Sequence, residues 1–290
     1  MSQTRPRILV QIDSDDHASV FDAVVAIDAG VDHLLQYHAV VEDAVQGLVH
    51  GSIFTRGPQD LKSTAMFIGG TDVQAAERLL EQVVNSFCGP LRVSVMLDAS
   101  GANTTAAAAV LAAGRHVPLS GSMALVLAAT GPVGQRLVRL LAREGARVRV
   151  ASRDVMRARR VCDLVRERVE TAELEAVGTT AESVQVALEG ASILISAGAA
   201  GIELVSAQSW QASRALRVAI DLNAVPPLGI VGVEATDKGV VRGAVACYGA
   251  IGVGGLKMKI HRAAIERLFH SNRQVLDAEE IFEIGRELEG

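Results

Sequence analysis

Rings are scarce in this chain: 1 Trp, 2 Tyr and 6 Phe among 290 residues. That excludes the stacked aromatic platform on which single-stranded nucleic acid is read. Cysteine is scarce as well. Cys88, Cys162 and Cys247 lie far apart with no C-x-x-C spacing, which argues against a disulfide scaffold or a structural zinc site. Positive charge is not in excess, with 28 Lys and Arg against 33 Asp and Glu and a net charge of -5. The basic stripe of a nucleic-acid binder is therefore missing, and no nucleic-acid partner is expected. No apolar run approaches the roughly 20 residues of a membrane span. The longest, such as Ala106 to Ala113 and Met123 to Ala129, have the length of core elements. Arg5 and Arg7 precede only the short run Ile8 to Ile12, without a signal-peptide core. The expectation is a soluble cytoplasmic protein with no membrane partner.

What is present is aliphatic. Hydrophobic residues make up 49% of the chain, enough for a sizeable core. With so few rings, that core is Ala-rich, which suits helices packed closely on a parallel sheet. At about 150 residues per domain the length suggests two domains. Strand-length apolar runs alternate with helix-period segments almost from end to end, the pattern of α/β architecture. Strands are expected at Ile8 to Ile12, Ile53 to Thr55, Ala65 to Ile68 and Val93 to Leu97. A helix through Val20, Phe21, Val24 and Val25 should stop at Gly30. Asp13, Asp15 and Asp16 crowd one turn; Asp16 is read as a helix cap and the rest as solvated loop, so no metal is expected. Thr71 and Gln74 form a capping-box pattern before the next helix. A break at Gly114 to Ser122 divides a first domain, 1–117, from a second, 118–273, and the helix of about 274–290 is expected to pack back on the first.

The sharpest local pattern begins at Met123. A buried-strand run leads into Ala129-Thr130-Gly131-Pro132-Val133-Gly134, then a helix ending at Gly145, then the strand Val148 to Ala151. This β-turn-α-β unit is the context that a dinucleotide fingerprint requires, although Ala129 stands where its first glycine belongs. Gly131 would let backbone approach a pyrophosphate, Gly134 would let helix pack on strand, and the amides of the helix start would hold the anion. An NAD site places an acid at the end of the second strand. Here Ser152-Arg153-Asp154 stands there, followed by Arg157, Arg159 and Arg160. A hydroxyl and a guanidinium suit a 2′-phosphate, so NADP is favoured, with NAD left open through Asp154. The turns after two further strands, Ala197-Gly198 and Asn223 to Gly229, are the natural walls of a nicotinamide pocket. The glycine loop at Gly252 is read as approaching the cofactor, against a role in close packing.

Several further motifs occur in order: Ser19-Val20-Phe21-Asp22, Phe54-Thr55-Arg56-Gly57, Phe67-Ile68-Gly69-Gly70, Ser100-Gly101-Ala102-Asn103-Thr104-Thr105, Asn223-Ala224-Val225-Pro226-Pro227-Leu228-Gly229-Ile230 and Gly252-Val253-Gly254-Gly255-Leu256-Lys257-Met258-Lys259-Ile260-His261-Arg262. Together with the glycine turn, they resemble the bacterial NAD(P)-dependent methylenetetrahydromethanopterin dehydrogenases of one-carbon metabolism over nearly the whole chain. The resemblance implies an N-terminal α/β pterin-binding domain, a Rossmann-type doubly wound parallel sheet for NADP, and an active site in the cleft between them. It also implies a homotrimer in which a neighbouring subunit completes the site. By motif, Phe21, Thr105, Lys257 and His261 match the residues that shape the family's active site. The fold also resembles the methylenetetrahydrofolate dehydrogenase/cyclohydrolases, whose Tyr-x-x-x-Lys pair is absent: the fourth residues after Tyr37 and Tyr248 are Val41 and Gly252.

The implied reaction moves a hydride from the methylene bridge of a tetrahydropterin to a nicotinamide ring. No proton leaves in that step, so proximity and tolerance of a developing cation are what the protein must supply. Lys257 is awkward beside a cation; it either binds pterin polar groups away from the reacting carbon or has a depressed pKa. His261, four residues on, shares its helix face. Thr105 is read as facing the cleft or capping a helix, Phe21 as a stacking platform or a core residue, and Asp98, which follows a strand, as a lesser candidate for facing the pterin. Tetrahydrofolate as main substrate and a non-catalytic NADPH sensor are the competing readings.

Overall fold

The computed structural model describes residues 5–290. The chain begins with β1 (Ile8–Ile12), α1 (Val20–Asp28), β2 (His33–Tyr37), α2 (Glu42–Ile53), β3 (Thr64–Ile68), α3 (Val73–Asn85), β4 (Ser94–Leu97) and α4 (Ala102–Gly114). A second series follows: β5 (Met123–Leu127), α5 (Pro132–Arg143), β6 (Arg147–Ala151), α6 (Val155–Arg168), β7 (Leu174–Val177), α7 (Ala181–Leu188) and β8 (Ile193–Ser196). It continues through α8 (Ala207–Gln211), β9 (Val218–Asp221), the strands β10 (Lys238–Arg242) and β11 (Val245–Gly249), and the long helix α9 (Ala250–Arg267). The last elements are β12 (Val275–Leu276) and α10 (Ala278–Glu287).

Two sheets result. The first has the order β12-β4-β3-β1-β2 and every pairing in it is parallel. The second has the order β10-β11-β9-β8-β5-β6-β7, parallel except for the β10–β11 pair. From β5 the chain winds out through β6 and β7, then returns to β8 on the other side, which is the doubly wound Rossmann arrangement. β1, β2 and β3 repeat the device in the first sheet, with β1 between its two successors. The central strands are buried on both faces: Thr64–Ile68 and Ile193–Ser196 are buried throughout, as continuous apolar runs in parallel sheets should be. Around the second sheet the core joins Leu125, Leu127, Leu194, Ile230 and Val233 to Trp210.

The chain forms two compact units, one running to Thr104 and resuming at Met258, the other Thr105–Lys257. These divisions fall inside α4 and α9 rather than at 117/118 and 273/274. The polar break after Gly114 marks where a helix ends, while the helix itself begins in one unit and finishes in the other. β12 adds to β4, and α10 belongs to the same unit.

Other expectations are corrected locally. Ile53 to Thr55 is no strand; Ile53 closes α2. The cap of α1 is Ser19, whose hydroxyl accepts the Asp22 N–H at 3.2 Å, and not Asp16. The cap of α3 is Asp72, accepting the Ala75 N–H at 3.0 Å, because Thr71 is engaged elsewhere. No described helix is long and apolar enough to cross a membrane.

Candidate active site

The first sheet switches direction between β1 and β3, so the loops leaving their carboxyl ends diverge and open a crevice. Asp13 follows β1 directly and is buried. Its carboxylate accepts the N–H of Asp15 at 3.0 Å and of Ser19 at 3.2 Å. Burial pushes its pKa up, and those two donors partly oppose the shift. Asp15 reaches across the switch, accepting both the N–H and the hydroxyl of Thr71 at 3.0 Å. The two loops are thereby tied together. Gly69 and Gly70, after β3, let the backbone approach these acids closely. A Cβ on Gly69 would stand 3.1 Å from Asp13 Oδ2 and 3.5 Å from Asp22 Oδ2. One on Gly70, at φ +100, would stand 2.7 Å from Ser14 Oγ.

His261 is fully buried beside this crevice. Its ring stacks on Phe67, with centroids 5.7 Å apart and planes at 22°, and lies 6.3 Å from the Phe21 ring. Nε2 is 3.9 Å from Asp22 Oδ1, and Nδ1 is 3.9 Å from Asp98 Oδ2. Two residues predicted from opposite ends of the chain, Phe21 and His261, are thus brought together. Phe21 is half exposed, so its ring offers a face to a ligand. Asp98 is not turned to a ligand. Its buried carboxylate accepts the N–H groups of Asn103 and Thr104 at 2.9 and 3.0 Å, and the Thr104 hydroxyl at 2.6 Å, which fixes the start of α4. Thr105 lies in the first turns of α4 and Lys257 one turn before His261 on α9, both half-buried. Phe67 and Asp22 are neighbours that stood in the sequence motifs without being assigned to the site. Strand alternation puts Phe67 on the same face as Gly69, two residues on, and that was the available signal.

In the second unit the switch lies between β5 and β8. The turn after β5 has its left-handed residue at Ala128, φ +53, one position before Ala129, which stays outside that region. The absent fingerprint glycine is therefore not needed for backbone freedom. Gly131 caps α5 in extended backbone, and Pro132 occupies the first turn, where a missing N–H costs nothing. The amides of Val133 and Gly134 belong to that same turn. Gln135 Nε2 donates to the Thr130 carbonyl at 3.0 Å, bracing the loop. At the end of β6, buried Ser152 accepts the Asp154 N–H at 3.2 Å. Asp154 Oδ1 in turn accepts the N–H groups of Met156 and Arg157 at 2.9 and 3.3 Å. Its carboxylate is thus engaged in capping α6, while the Arg153 and Arg157 side chains are exposed beside it.

The turn after β8 starts with the Ala197 N–H on the Leu127 carbonyl at 3.1 Å. Gly198 packs against Leu204, where a Cβ would stand 2.7 Å from Cδ1. Asn223 braces the turn after β9: its Oδ1 accepts the Val225 N–H at 2.9 Å and its Nδ2 donates to the Pro227 carbonyl at 3.2 Å. Gly252 is different. A Cβ there would come within 1.7 Å of the Asp237 carbonyl oxygen, so close packing dictates this glycine. Among the described residues no group of three His, Cys, Asp or Glu side chains could hold a metal ion.

A family model described as methylene-tetrahydromethanopterin dehydrogenase, N-terminal, matches residues 20–100. The chain is 46% identical over 286 residues to "Bifunctional protein MdtA" of Methylorubrum extorquens, covering 97% of this chain and 99% of that protein. It is 30% identical over 284 residues to the NAD(P)-dependent methylenetetrahydromethanopterin dehydrogenase of the same organism, covering 94% and 96%. Among solved structures, shikimate 5-dehydrogenase from Listeria monocytogenes in complex with shikimate and NAD aligns with a TM-score of 0.57 at 12% identity, over 96% of each chain. Quinate dehydrogenase from Corynebacterium glutamicum in complex with NAD aligns with a TM-score of 0.52 at 15% identity, over 97% and 99%. At such identities these two structures speak to the fold alone.

Proposed function

The chain belongs to the methylenetetrahydromethanopterin dehydrogenase family, and from that premise we propose that it transfers a hydride from the methylene bridge of methylenetetrahydromethanopterin to NADP, giving the methenyl form. One observation carries the reading. The chain has two switch points of different chemistry, a glycine turn followed by Ser152 and Arg153 in one unit and a cluster of buried acids and an imidazole beside half-exposed Phe21 in the other. Each suits one of the two ligands.

Thr130, Gly131, Pro132, Val133 and Gly134 would hold the pyrophosphate on the α5 amides. Ser152, Arg153 and Arg157 would hold the 2′-phosphate by charge-assisted hydrogen bonds. Ala197, Gly198 and Asn223 would line the nicotinamide. NADP, when bound, supplies the hydride acceptor, and NAD is the weaker alternative. Phe21 offers its exposed face to the pterin and stays in place against His261. Lys257 and Thr105 are assigned to polar groups of the pterin. No residue need act as a strong base, since the substrate's own nitrogen lone pairs expel the hydride. We place the reaction in the cytoplasm, in a homotrimer, which the exposed apolar side chains of α1 support.

The test is the rise of reduced-nicotinamide absorbance with purified protein and methylenetetrahydromethanopterin, NADP against NAD, repeated with methylenetetrahydrofolate. Fast NADP reduction with the methanopterin is expected, and Arg153→Ala should raise the KM for NADP more than that for NAD. Faster turnover with the folate would move the substrate assignment. Tight NADPH binding without turnover on either pterin would replace the enzyme by a sensor.

A further inference from the structure

We infer that Asp221 is a positioning residue for the nicotinamide half of the cofactor, its carboxylate fastening both ends of the Asn223–Ile230 loop into one fixed wall. Asp221 ends β9 and is 1% exposed. One carboxylate oxygen accepts the Asn223 N–H at 3.1 Å, and the other accepts the Ile230 N–H at 2.9 Å. These are the first and last residues of the loop. The buried Ser196 side chain and the Gly229 backbone lie beside it. Gly229 is packed down so hard that a Cβ would stand 2.3 Å from Ser196 Oγ and 3.0 Å from Asp221 Oδ1.

The wall extends beyond this loop. The Gly201 N–H donates to the Val225 carbonyl at 3.1 Å, and the Leu204 N–H to the Gly229 carbonyl at 2.9 Å. The turns after β8 and β9 are therefore tied to one another, and Asp221 is where the second of them is fastened to the sheet. Burial raises the Asp221 pKa against the pull of its hydrogen bonds, so the group is held there against its own solvation. In a doubly wound sheet a dinucleotide straddles the switch. With Ser152 and Arg153 beyond β6 taking the adenosine end, the nicotinamide end falls on the β8–β9 side, against this wall. The inference rests on the NADP reading of this unit.

Asp221→Asn keeps the size of the side chain but turns one acceptor into a donor facing an N–H. Binding of NADPH is compared with binding of 2′,5′-ADP, which carries the adenosine end alone. The variant should lose about tenfold in NADPH affinity, the effect of one spoiled buried hydrogen bond, with 2′,5′-ADP binding unchanged. In turnover, kcat should fall more than the KM for the pterin changes. Ser196→Ala removes the hydroxyl packed beside Gly229 and Asp221, should shift NADPH binding the same way by less, and carries the test if the Asn variant does not fold. Equal losses for both ligands, or no loss for either, would overturn the inference. Wild-type protein that fails to bind 2′,5′-ADP would instead overturn the NADP reading beneath it.

Discussion

At Gly134 the first turn of α5 lies directly on the strand end it leaves, and the nearest atoms are backbone. A Cβ would stand 2.7 Å from Ala129 Cα and 2.8 Å from the Ala128 carbonyl oxygen. Neither can yield without moving the turn, so Gly134→Ala should cost about 1–3 kcal/mol of stability, as overpacking does. Gly131 has no such neighbour; its nearest atom is 3.6 Å away, and its φ is −77°. Gly131→Ala should therefore fold like wild type yet bind NADPH more weakly, because the methyl stands where a phosphate must approach. Urea denaturation and NADPH titration of both variants separate the roles. His116 gives a second prediction at this scale. Its Nε2 lies 2.8 Å from the Tyr248 hydroxyl, and burial, then the Arg115 charge, holds its pKa below the ordinary 6.5. The folded state thus binds fewer protons than the unfolded one, so stability is lost as pH falls through 6.5. Melting temperatures between pH 8 and pH 5.5, on the order of the histidine range, should fall less steeply for His116→Gln than for wild type.

Among the elements, the start of α4 gathers several buried hydrogen bonds in one place. Asp98 accepts three donors there, and Asn103 Nδ2 donates to the Leu97 carbonyl at 2.6 Å and to Asp277 Oδ1 at 3.0 Å, tying in the start of α10. Asp98→Ala would leave buried N–H groups without acceptors, and about 2–4 kcal/mol of stability should go with it. Hydrogen exchange should locate the loss in α4 and α10; a loss confined to surface loops would refute this account. Elements were legible in the sequence where burial dictated composition. Met123–Leu127 is a continuous apolar run because both its faces are covered, and Ile8–Ile12 and Ile193–Ser196 are apolar but for buried Gln11 and Ser196. β2 was missed because it is an edge strand with no buried residue, and α2 because Gly47 and Gly51 interrupt its apolar period. The cap at Thr71 failed for a tertiary reason, since Thr71 is held across the switch by Asp15, and that at Asp16 because the cap of α1 falls three residues later, at Ser19. The glycine turn could be read locally. The Phe21–Phe67–His261 cluster could not, because three separate elements assemble it.

For the molecule as a whole, the unexplained feature is how much apolar surface α1 presents. Val20, Val24 and Ile27 are 75%, 55% and 54% exposed, and their spacing sets them in one stripe along the helix. Leu35 and Tyr37 of the edge strand β2 are also more than a third exposed. Isolated exposed side chains mean little, but a contiguous apolar patch marks an interface. A second copy of this chain is the occupant expected here, and symmetry restricts how it binds. If α1 met its own counterpart, the assembly would close at two copies; three require α1 to meet a different face of its neighbour. On the proposed homotrimer, sedimentation equilibrium should give three times the 30.4 kDa of one chain, and Val24→Glu with Ile27→Glu should return it to one. The melting temperature of the wild type should rise with protein concentration, and that of the double variant should not. If a neighbour completes the site, the separated chain should keep its affinity for NADPH and lose turnover. Two copies in place of three would mean that the stripe pairs with itself, and 30.4 kDa for the wild type would remove the assembly altogether.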